Sequence, residues 1–275
     1  MPARLIAYLP DAPAPSLLLH EGAALTIGRA EGNGLQLSHP SVSRSHARLC
    51  SDGLGWELND LGSKNGSFRD SLRVEAPARL AGAAWLRFGD IYVEFTPLGD
   101  EDAAREAGRT QARRTRATAL THGVGQALDL DDMLSASVHA VTELAQCDRG
   151  YLVLAGPEAP RVAAACGTRS PRDFGGSTGA LQRALEQGLG TVAHDIGHLP
   201  WLSTRESVMA SGISALACLP LCDGERVIGA LYADSTRPGA AITALDMELL
   251  QAFCERCALW LVARGARDRT DHASA

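Results

Sequence analysis

Residues 25–49 read LTIGRAEGNGLQLSHPSVSRSHARL, so that short apolar runs alternate with segments rich in Gly, Asn, Ser and Pro. Apolar runs of this length predict strands, and the segments between them predict tight turns. The alternation continues to residue 98 through runs such as Trp56-Glu-Leu, Ala84-Trp-Leu-Arg-Phe and Ile91-Tyr-Val-Glu-Phe. Residues 1–98 are therefore predicted to form an all-β sandwich whose function lies in its loops.

Three polar motifs fall between the predicted strands. They are Gly28-Arg29, Ser43-Arg44-Ser45-His46 and Ser63-Lys64-Asn65-Gly66, the last within the polar stretch 60–68. A phosphate dianion, with a charge of about −1.5 to −2, binds a guanidinium fork, a hydroxyl donor and loop amides that converge on it. The motifs contain all of these groups.

Arg29, Ser43 and Arg44 are predicted to hold the phosphate. Arg29 directly follows Gly28, whose backbone freedom lets the chain turn and present the arginine. Asn65 precedes a glycine in a turn, and its side-chain amide can both donate to and accept from the backbone of an extended peptide. A surface arginine or a turn cap would explain each residue singly, but not their occurrence together.

Together the three motifs resemble the FHA family, over about residues 4–97. The resemblance implies that the ligand is a phosphothreonine-containing segment of another protein. The residues implied to contact it are Arg29, Ser43, Arg44, Lys64 and Asn65. The residues implied to support the binding loops are Gly28, His46, Ser63 and Gly66.

Lys64 departs from the family pattern, in which Thr or Ser often precedes the asparagine. Two roles are open for it: an added phosphate contact, or a changed ligand preference.

Residues 99–116 form a charged segment without a bulky apolar side chain. Such a composition is typical of a linker, and its Ala, Arg and Glu content favours helix, so a semi-rigid helical spacer is predicted.

Residues 117–264 are predicted to form an α+β domain. An apolar spacing from Leu130 to Ala145 predicts a helix with Asp129, Asp131 and Asp132 at its N-terminus. A long helix is predicted from Thr243, with Asp246 in a capping-box position. A helix near 177–188 and another segment near 203–211 separate strands predicted at 150–154, 161–166, 190–193, 215–221 and 227–233. Residues 265–275 are predicted to be a disordered tail.

This second half resembles the GAF family over about residues 117–264. The segments that carry the resemblance are 148–154, 190–195, Pro200-Trp201, 214–221 and 227–234. It implies a central antiparallel sheet with helices on one face and a pocket on the other, used to sense a small molecule or to form a homodimer through the terminal helices. The signatures of cyclic-nucleotide-binding and bilin-binding members are missing, so the ligand is unknown and no cofactor is evident.

The cysteine pairs Cys254/Cys257 and Cys218/Cys222 have a spacing that suits a zinc or redox site. The apolar pattern around them favours the alternative, in which Cys218, Cys254 and Cys257 are buried core residues. His194 and His198 are predicted to be loop residues rather than metal ligands. No metal-binding residue is identified.

Composition and charge limit the function classes. The net charge is −6 and neither predicted half has a basic excess, which disfavours direct binding to nucleic acid. No apolar stretch is long enough to span a membrane, and no signal segment precedes the first strand, so a cytoplasmic protein is expected. No nucleophile with a base, paired carboxylates or phosphate loop is found, so no catalytic residue and no enzyme are predicted.

The sequence therefore predicts a non-enzymatic signalling adaptor. Its first domain binds a phosphothreonine segment, of a Ser/Thr kinase or of a kinase substrate, and its second senses a small molecule or dimerises. Two alternatives are a small-molecule or thiol-redox sensor in which the first domain is a scaffold, and the input module of a larger transcription activator.

Overall fold

The computed structural model describes residues 1–10, 12–194, 212–237 and 240–273, with side chains described as far as Arg264. The chain divides into two compact units. Unit 1 comprises Met1–Leu9 and Pro13–Gln111, and unit 2 comprises Pro10–Ala12 and Ala112–Ala275. The predicted segment 203–211 and the residues His198, Pro200 and Trp201 lie outside the described residues.

Unit 1 is built from two β-sheets. The first has the strand order β2-β1-β11-β10-β7-β8, and the second has the order β4-β3-β5-β6-β9. All neighbouring strands are antiparallel except β3 and β4. The strands are β1 (Ala3–Tyr8), β2 (Ser16–Leu19), β3 (Ala24–Gly28), β4 (Leu35–Gln36), β5 (Ala47–Ser51), β6 (Trp56–Asp60), β7 (Ser67–Arg69), β8 (Leu72–Arg73), β9 (Ala78–Leu80), β10 (Ala84–Phe88) and β11 (Ile91–Pro97).

Alternating burial along the strands gives the two sheets a shared core. In β1 and β11 every second residue is buried, as expected of strands with one face inside. Trp56 of the second sheet and Phe95 of the first are fully buried, with ring centroids 6.1 Å apart. This contact closes the sandwich, and the predicted β-sandwich is confirmed.

The apolar runs predicted as strands in this unit all form strands. The prediction omitted β1, β2 and the short strands β7, β8 and β9. The last three have only two or three residues each, so they carry too little periodicity to be recognised.

Helix α1 (Asp100–Gly125) follows the last strand of unit 1, and the division between the units falls within it, after Gln111. Its first turn contains Asp100, Glu101 and Asp102, which complement the positive end of the helix dipole. The segment predicted as a helical linker over 99–116 thus lies within a longer helix.

Unit 2 is an α+β unit around one antiparallel sheet with the order β13-β12-β16-β15-β14. This confirms the predicted fold class. Its remaining elements are α2 (Leu130–Ala145), β12 (Arg149–Leu154), β13 (Arg161–Cys166), α3 (Thr178–Gln187), β14 (Thr191–His194), β15 (Ala215–Asp223), β16 (Arg226–Ser235) and α4 (Ala244–Ala273).

Helices cover both faces of this sheet in the described residues. Helices α2 and α4 pack on one face, where Val138 and Phe253 join a cluster with Leu219 and Leu231 of the strands. On the other face, where the GAF resemblance implied a pocket, helix α3 packs on Tyr151 and Tyr232. The rings of Tyr151, Phe174 and Tyr232 lie 5.0–6.0 Å apart, edge to face.

Side-chain caps start the helices where the sequence predicted. The Asp129 carboxylate accepts from the Asp132 amide at the start of α2. Asp246 accepts from both the amide and the hydroxyl of Thr243, and its own amide donates to the Thr243 hydroxyl. This reciprocal pair is the predicted capping box of α4.

Two sequence predictions differ from the structure. The backbone of α4 is helical to Ala273, in place of a disordered tail from residue 265, because no proline interrupts the helical register. His194 is not a loop residue: it ends strand β14, is 4% exposed, and its Nε2 is 2.9 Å from the Ile242 carbonyl oxygen. Pairing of β14 with β15 holds it in the sheet.

None of the helices in the described ranges combines the length and apolarity needed to cross a bilayer.

A buried ion pair joins three helices of unit 2. Arg113 of α1 donates to the Leu144 carbonyl oxygen of α2 at 2.7 Å and forms an ion pair with Asp246 of α4. The Asp246 side chain is fully buried, whereas the Arg113 side chain is 24% exposed. Removal of the arginine would leave a buried carboxylate without its counter-charge.

We expect Arg113→Ala to destabilise unit 2 by about 3 kcal/mol, the lower part of the range for breaking a buried pair. Arg114→Ala is the matched control, because the neighbouring Arg114 pairs with Glu248 on the surface and should matter little. Denaturation of the full chain, with hydrogen exchange of β12 and β16 to locate the loss, measures both. Equal effects of the two substitutions would contradict the role of Arg113.

Candidate functional site

Hydrogen bonds bring the three polar motifs together at one end of the sandwich. The Arg29 amide donates to the Ser43 carbonyl oxygen at 2.9 Å, which ties the end of β3 to the segment before β5. The Lys64 amide donates to the Ser43 hydroxyl oxygen at 3.0 Å, which ties in the loop between β6 and β7. The predicted contact residues therefore lie on one surface.

The Arg29 guanidinium is directed by one hydrogen bond, from Nε to the Val42 carbonyl oxygen at 3.2 Å. Its two terminal nitrogens have no partner within the described residues, and the side chain is exposed. A guanidinium held in this way presents its remaining N–H groups to an incoming anion.

Gly28 is required for a reason other than the predicted one. Its φ is not positive, but a Cβ at this position would lie 2.3 Å from the Arg44 carbonyl oxygen and 2.9 Å from Nδ2 of Asn33. Close approach of two backbone segments, rather than freedom to turn, excludes any side chain here.

Ser43 and Asn65 keep groups available for a ligand. The Ser43 hydroxyl accepts from Lys64, and its own proton has no acceptor among the described residues. Asn65 donates from Nδ2 to the Ser41 carbonyl oxygen at 2.7 Å, which fixes the amide, while the side chain is exposed and its Oδ1 accepts no hydrogen bond among the described residues. The site therefore offers a hydroxyl donor and an amide acceptor next to each other.

The side chains of Arg44 and Lys64 are exposed, and neither forms an ion pair with any described acidic residue. They add positive charge to the surface that Arg29 shares. Because no ion pair with a described residue holds either side chain, both can change conformation to contact an anion bound nearby.

The buried side chain of His46 links the loop of Ser43 to the loop of Gly66 through its two ring nitrogens. Its Nδ1 accepts from the Ser43 amide at 2.9 Å, so the proton of the neutral ring is on Nε2, which lies 3.1 Å from the Gly66 carbonyl oxygen. The ring is fully buried and packs edge-on against Phe88. Burial lowers the pKa of His46, more than the Gly66 carbonyl and the Asp60 charge raise it.

Asp60, which the sequence analysis did not single out, organises the loop that carries Lys64 and Asn65. One oxygen accepts from the amides of Gly62 and Ser63, and the other accepts from the hydroxyls of Ser63 and Ser67. Burial acts to raise the pKa of Asp60, but these hydrogen bonds outweigh it and hold the pKa below its usual value. The Asp-x-Gly-Ser spacing is an Asx-turn signal that could have identified it.

Asn33 is a second residue that the sequence analysis missed. Its Nδ2 donates to the carbonyl oxygens of Ala30 and Arg44, both at 2.8 Å. The side chain therefore fastens the loop after Arg29 to the loop of Ser43. Nothing in the local sequence distinguishes Asn33 from an ordinary turn asparagine, because its second partner is 11 residues away.

Family models match the two halves of the chain separately. The model described as an FHA domain matches residues 25–89, and the model described as a GAF domain matches residues 129–261. The chain carries an FHA domain followed by a GAF domain. The FHA match includes all nine residues that the sequence analysis assigned to the loops.

Curated relatives resemble the FHA domain. The FHA domain-containing protein FhaB of Mycolicibacterium smegmatis is 37% identical over 71 residues, which are 26% of this chain and 46% of that protein. FhaB of Mycobacterium tuberculosis shows the same identity and coverage. The chain thus spans about half the length of the curated relatives it matches.

Two solved structures are similar to parts of this chain. Mycobacterium tuberculosis EmbR in complex with a low-affinity phosphopeptide is 31% identical, with a TM-score of 0.28 over 33% of this chain and 24% of EmbR. A domain of a two-component sensor histidine kinase protein from Sinorhizobium meliloti 1021 is 18% identical, with a TM-score of 0.40 over 52% of this chain and 97% of that one.

Three of the four cysteines in the pairs Cys218/Cys222 and Cys254/Cys257 are buried, and Cys222 is exposed. Cys218, Cys254 and Cys257 are buried, and burial raises the pKa of Cys218 to about 12 and that of Cys257 to about 11. Thiols of this kind stay protonated at neutral pH and are poor nucleophiles and ligands. Within the described residues, no group of His, Cys, Asp and Glu side chains is placed to hold a metal ion.

We expect the His46 ring to be neutral at pH 7 with its proton on Nε2, and to titrate below the ordinary histidine value of 6.5. Because folding lowers this pKa, the neutral ring stabilises the domain fully above pH 6.5. That contribution is lost as the pH falls from 6.5 through the folded pKa. NMR of the ring nitrogens between pH 4 and 8 measures tautomer and pKa together. A proton on Nδ1, or titration above 6.5, would show that the assignment is wrong.

Proposed function

We propose that this protein is a non-enzymatic signalling adaptor whose FHA domain binds phosphothreonine-containing segments of other proteins. The observation that carries the proposal is the convergence of unused groups at one end of the sandwich: the terminal nitrogens of Arg29, the hydroxyl proton of Ser43 and the amide oxygen of Asn65. Each of these three side chains is held by a hydrogen bond within the domain, so the site is organised before a ligand arrives.

The chemistry of these groups suits a phosphorylated peptide. A phosphate dianion accepts charge-assisted hydrogen bonds from the guanidinium and the hydroxyl, with Arg44 and Lys64 adding positive charge. The Asn65 amide can bond the peptide backbone beside the phosphorylated residue. The chosen residue is threonine on the strength of the FHA family match.

The partner in this proposal is a Ser/Thr kinase or one of its substrates, and the compartment is the cytoplasm. All seven cysteines are free thiols, which suits a reducing environment. FHA and GAF domains are typically binding and sensory modules, which supports an adaptor rather than an enzyme.

For the GAF domain we propose homodimerisation through its terminal helices. Helices α1 and α4 border an open cavity of about 550 Å³ in unit 2, lined by apolar side chains such as Leu249, Phe253 and Trp260 together with polar and charged ones such as Arg114 and Arg256. Leu259, next to Trp260 on α4, is 64% exposed. An exposed leucine on a terminal helix is the kind of surface that a second helix can cover.

Burial disfavours the redox alternative at Cys218, Cys254 and Cys257, because it keeps these three side chains as thiols. A small-molecule ligand of the GAF domain stays an open alternative to dimerisation, with no cofactor evident.

Titration of the full chain with a phosphothreonine peptide library tests the FHA proposal. We expect phosphate-dependent binding that Arg29→Ala weakens by at least tenfold, which corresponds to about 1.4 kcal/mol. Arg48→Ala is the matched control, because Arg48 is an exposed arginine of β5 in the same domain. Binding that ignores phosphorylation, or equal effects of the two substitutions, would refute the proposal.

Sedimentation or light scattering of the full chain tests dimerisation. We expect a dimer that Leu259→Asp shifts toward monomer, since a carboxylate at an apolar interface is costly to desolvate. Leu189→Asp changes another exposed leucine, 48% exposed and outside the terminal helices, and should leave the dimer intact. A monomeric parent chain at micromolar concentration would contradict the proposed interface.

A further inference from the structure

The cavity between α1 and α4 in unit 2 has an apolar floor and a bridged end. Ala117 of α1 and Phe253 of α4 are the buried side chains in its lining, 7% and 1% exposed. One turn before them, Arg114 donates from Nη2 to Oε2 of Glu248 at 2.8 Å, which joins the two helices. This ion pair bounds the cavity at one end.

Trp260 bounds the cavity at the other end, where α1 finishes. A Cβ added to Gly125 would lie 3.1 Å from Cζ2 of Trp260, so the indole rests directly on this glycine. Just beyond, Arg264 donates to the Ala127 carbonyl oxygen. Contacts at both ends therefore hold the two helices together around the cavity.

One positive charge in the lining is not neutralised. The described residues that line the cavity include Arg114 and Arg256 but no acidic side chain. Glu248 neutralises Arg114, whereas Arg256 is exposed and forms neither an ion pair nor a side-chain hydrogen bond with any described residue. The Arg256 guanidinium is therefore available to an anion.

Arg256 lies on the same face of α4 as the aromatic side chains of the cavity. Phe253 precedes it by three residues and Trp260 follows it by four, and residues at these spacings are neighbours on a helix surface. A molecule with a ring against Trp260 can thus place an acidic group beside Arg256. The volume of about 550 Å³ is in the range usual for small-molecule sites.

We propose that this cavity binds an aromatic organic acid, whose ring packs on Trp260 and whose acidic group pairs with Arg256. Aromatic rings pack favourably on an indole, and a guanidinium forms charge-assisted hydrogen bonds with an acidic group. The inference goes beyond the proposed function, because it requires neither a phosphopeptide nor a second copy of the chain.

The site is also separate from the pocket that the GAF resemblance implied. It lies on the side of the sheet that α2 and α4 cover, where Phe253 belongs to the core cluster. The implied pocket would lie on the opposite side, where α3 packs on Tyr151 and Tyr232.

Fluorescence titration of the full chain with anilinonaphthalene sulfonate tests the site, because this probe is an aromatic acid whose emission rises in apolar surroundings. Phenylnaphthylamine, the same aromatic body without the sulfonate, is the neutral comparison. We expect saturable binding in which the sulfonate probe binds about fivefold more tightly than the neutral one, the upper part of the range for an exposed ion pair. The indole N–H resonance of Trp260, assigned with Trp260→Phe, should shift on binding.

Substitution of the arginine tests the charge. We expect Arg256→Gln to remove the preference for the sulfonate probe, while affinity for the neutral probe stays within about twofold. Arg183→Gln is the matched control, because Arg183 is an exposed arginine on α3, outside the cavity, and should keep the preference.

A second pair of variants adds a negative charge. Ala252 is an exposed lining residue, so Ala252→Glu places a carboxylate in the cavity and should weaken the sulfonate probe about fivefold or more. Gln251→Glu adds the same charge at the neighbouring exposed residue, which does not line the cavity, and should have a smaller effect.

The outcomes decide the inference by themselves. A preference for the sulfonate probe that Arg256→Gln removes, together with a shift of the Trp260 resonance, supports the site. Absence of saturable binding, equal affinity for the two probes, a preference retained in Arg256→Gln, or an unshifted Trp260 resonance refutes it. Sedimentation of the same samples records whether the chain is a monomer or a dimer, so the result for dimerisation is obtained separately.

Discussion

The candidate site of the FHA domain depends on one buried imidazole. His46 accepts from the Ser43 amide through one nitrogen and is within hydrogen-bonding distance of the Gly66 carbonyl oxygen through the other, 20 residues along the chain. A ring that bonds in opposite directions on its two sides has one useful tautomer and one orientation, so it sets the distance between two loops. The loops that carry Ser43 and Asn65 are thereby held on the same surface.

The polar side chains around this ring differ in whether their hydrogen-bonding groups are used within the loops. Asp60 and Asn33 use their hydrogen-bonding groups within the loops, whereas Arg29, Ser43 and Asn65 each use one group internally and keep another for a ligand. Such partial use orients a side chain without blocking it, which lowers the entropy lost on binding. Unit 2 uses a comparable device for stability, where Arg113 neutralises the buried Asp246 and joins three helices.

Much of the fold could be predicted from local patterns. Alternation of apolar residues located strands such as β10 and β11, and the Thr243 and Asp246 pair located the start of α4, because both signals depend on residues within a few positions of each other. Strands of two or three residues, such as β8 and β9, have no such signal. The candidate site residues were predicted through motifs, but Asn33 was not, since its second partner, the Arg44 carbonyl oxygen, comes from another part of the chain.

By itself the sequence determined the order of the two domains, the strand segments and the motif residues, because these follow from near-neighbour chemistry and from recognisable spacing. Only the tertiary structure decided why Gly28 must be glycine and which His46 nitrogen carries the proton. Each of these depends on a distance between atoms whose residues are separated along the chain. Strand pairing and packing set such distances, and no local pattern encodes them.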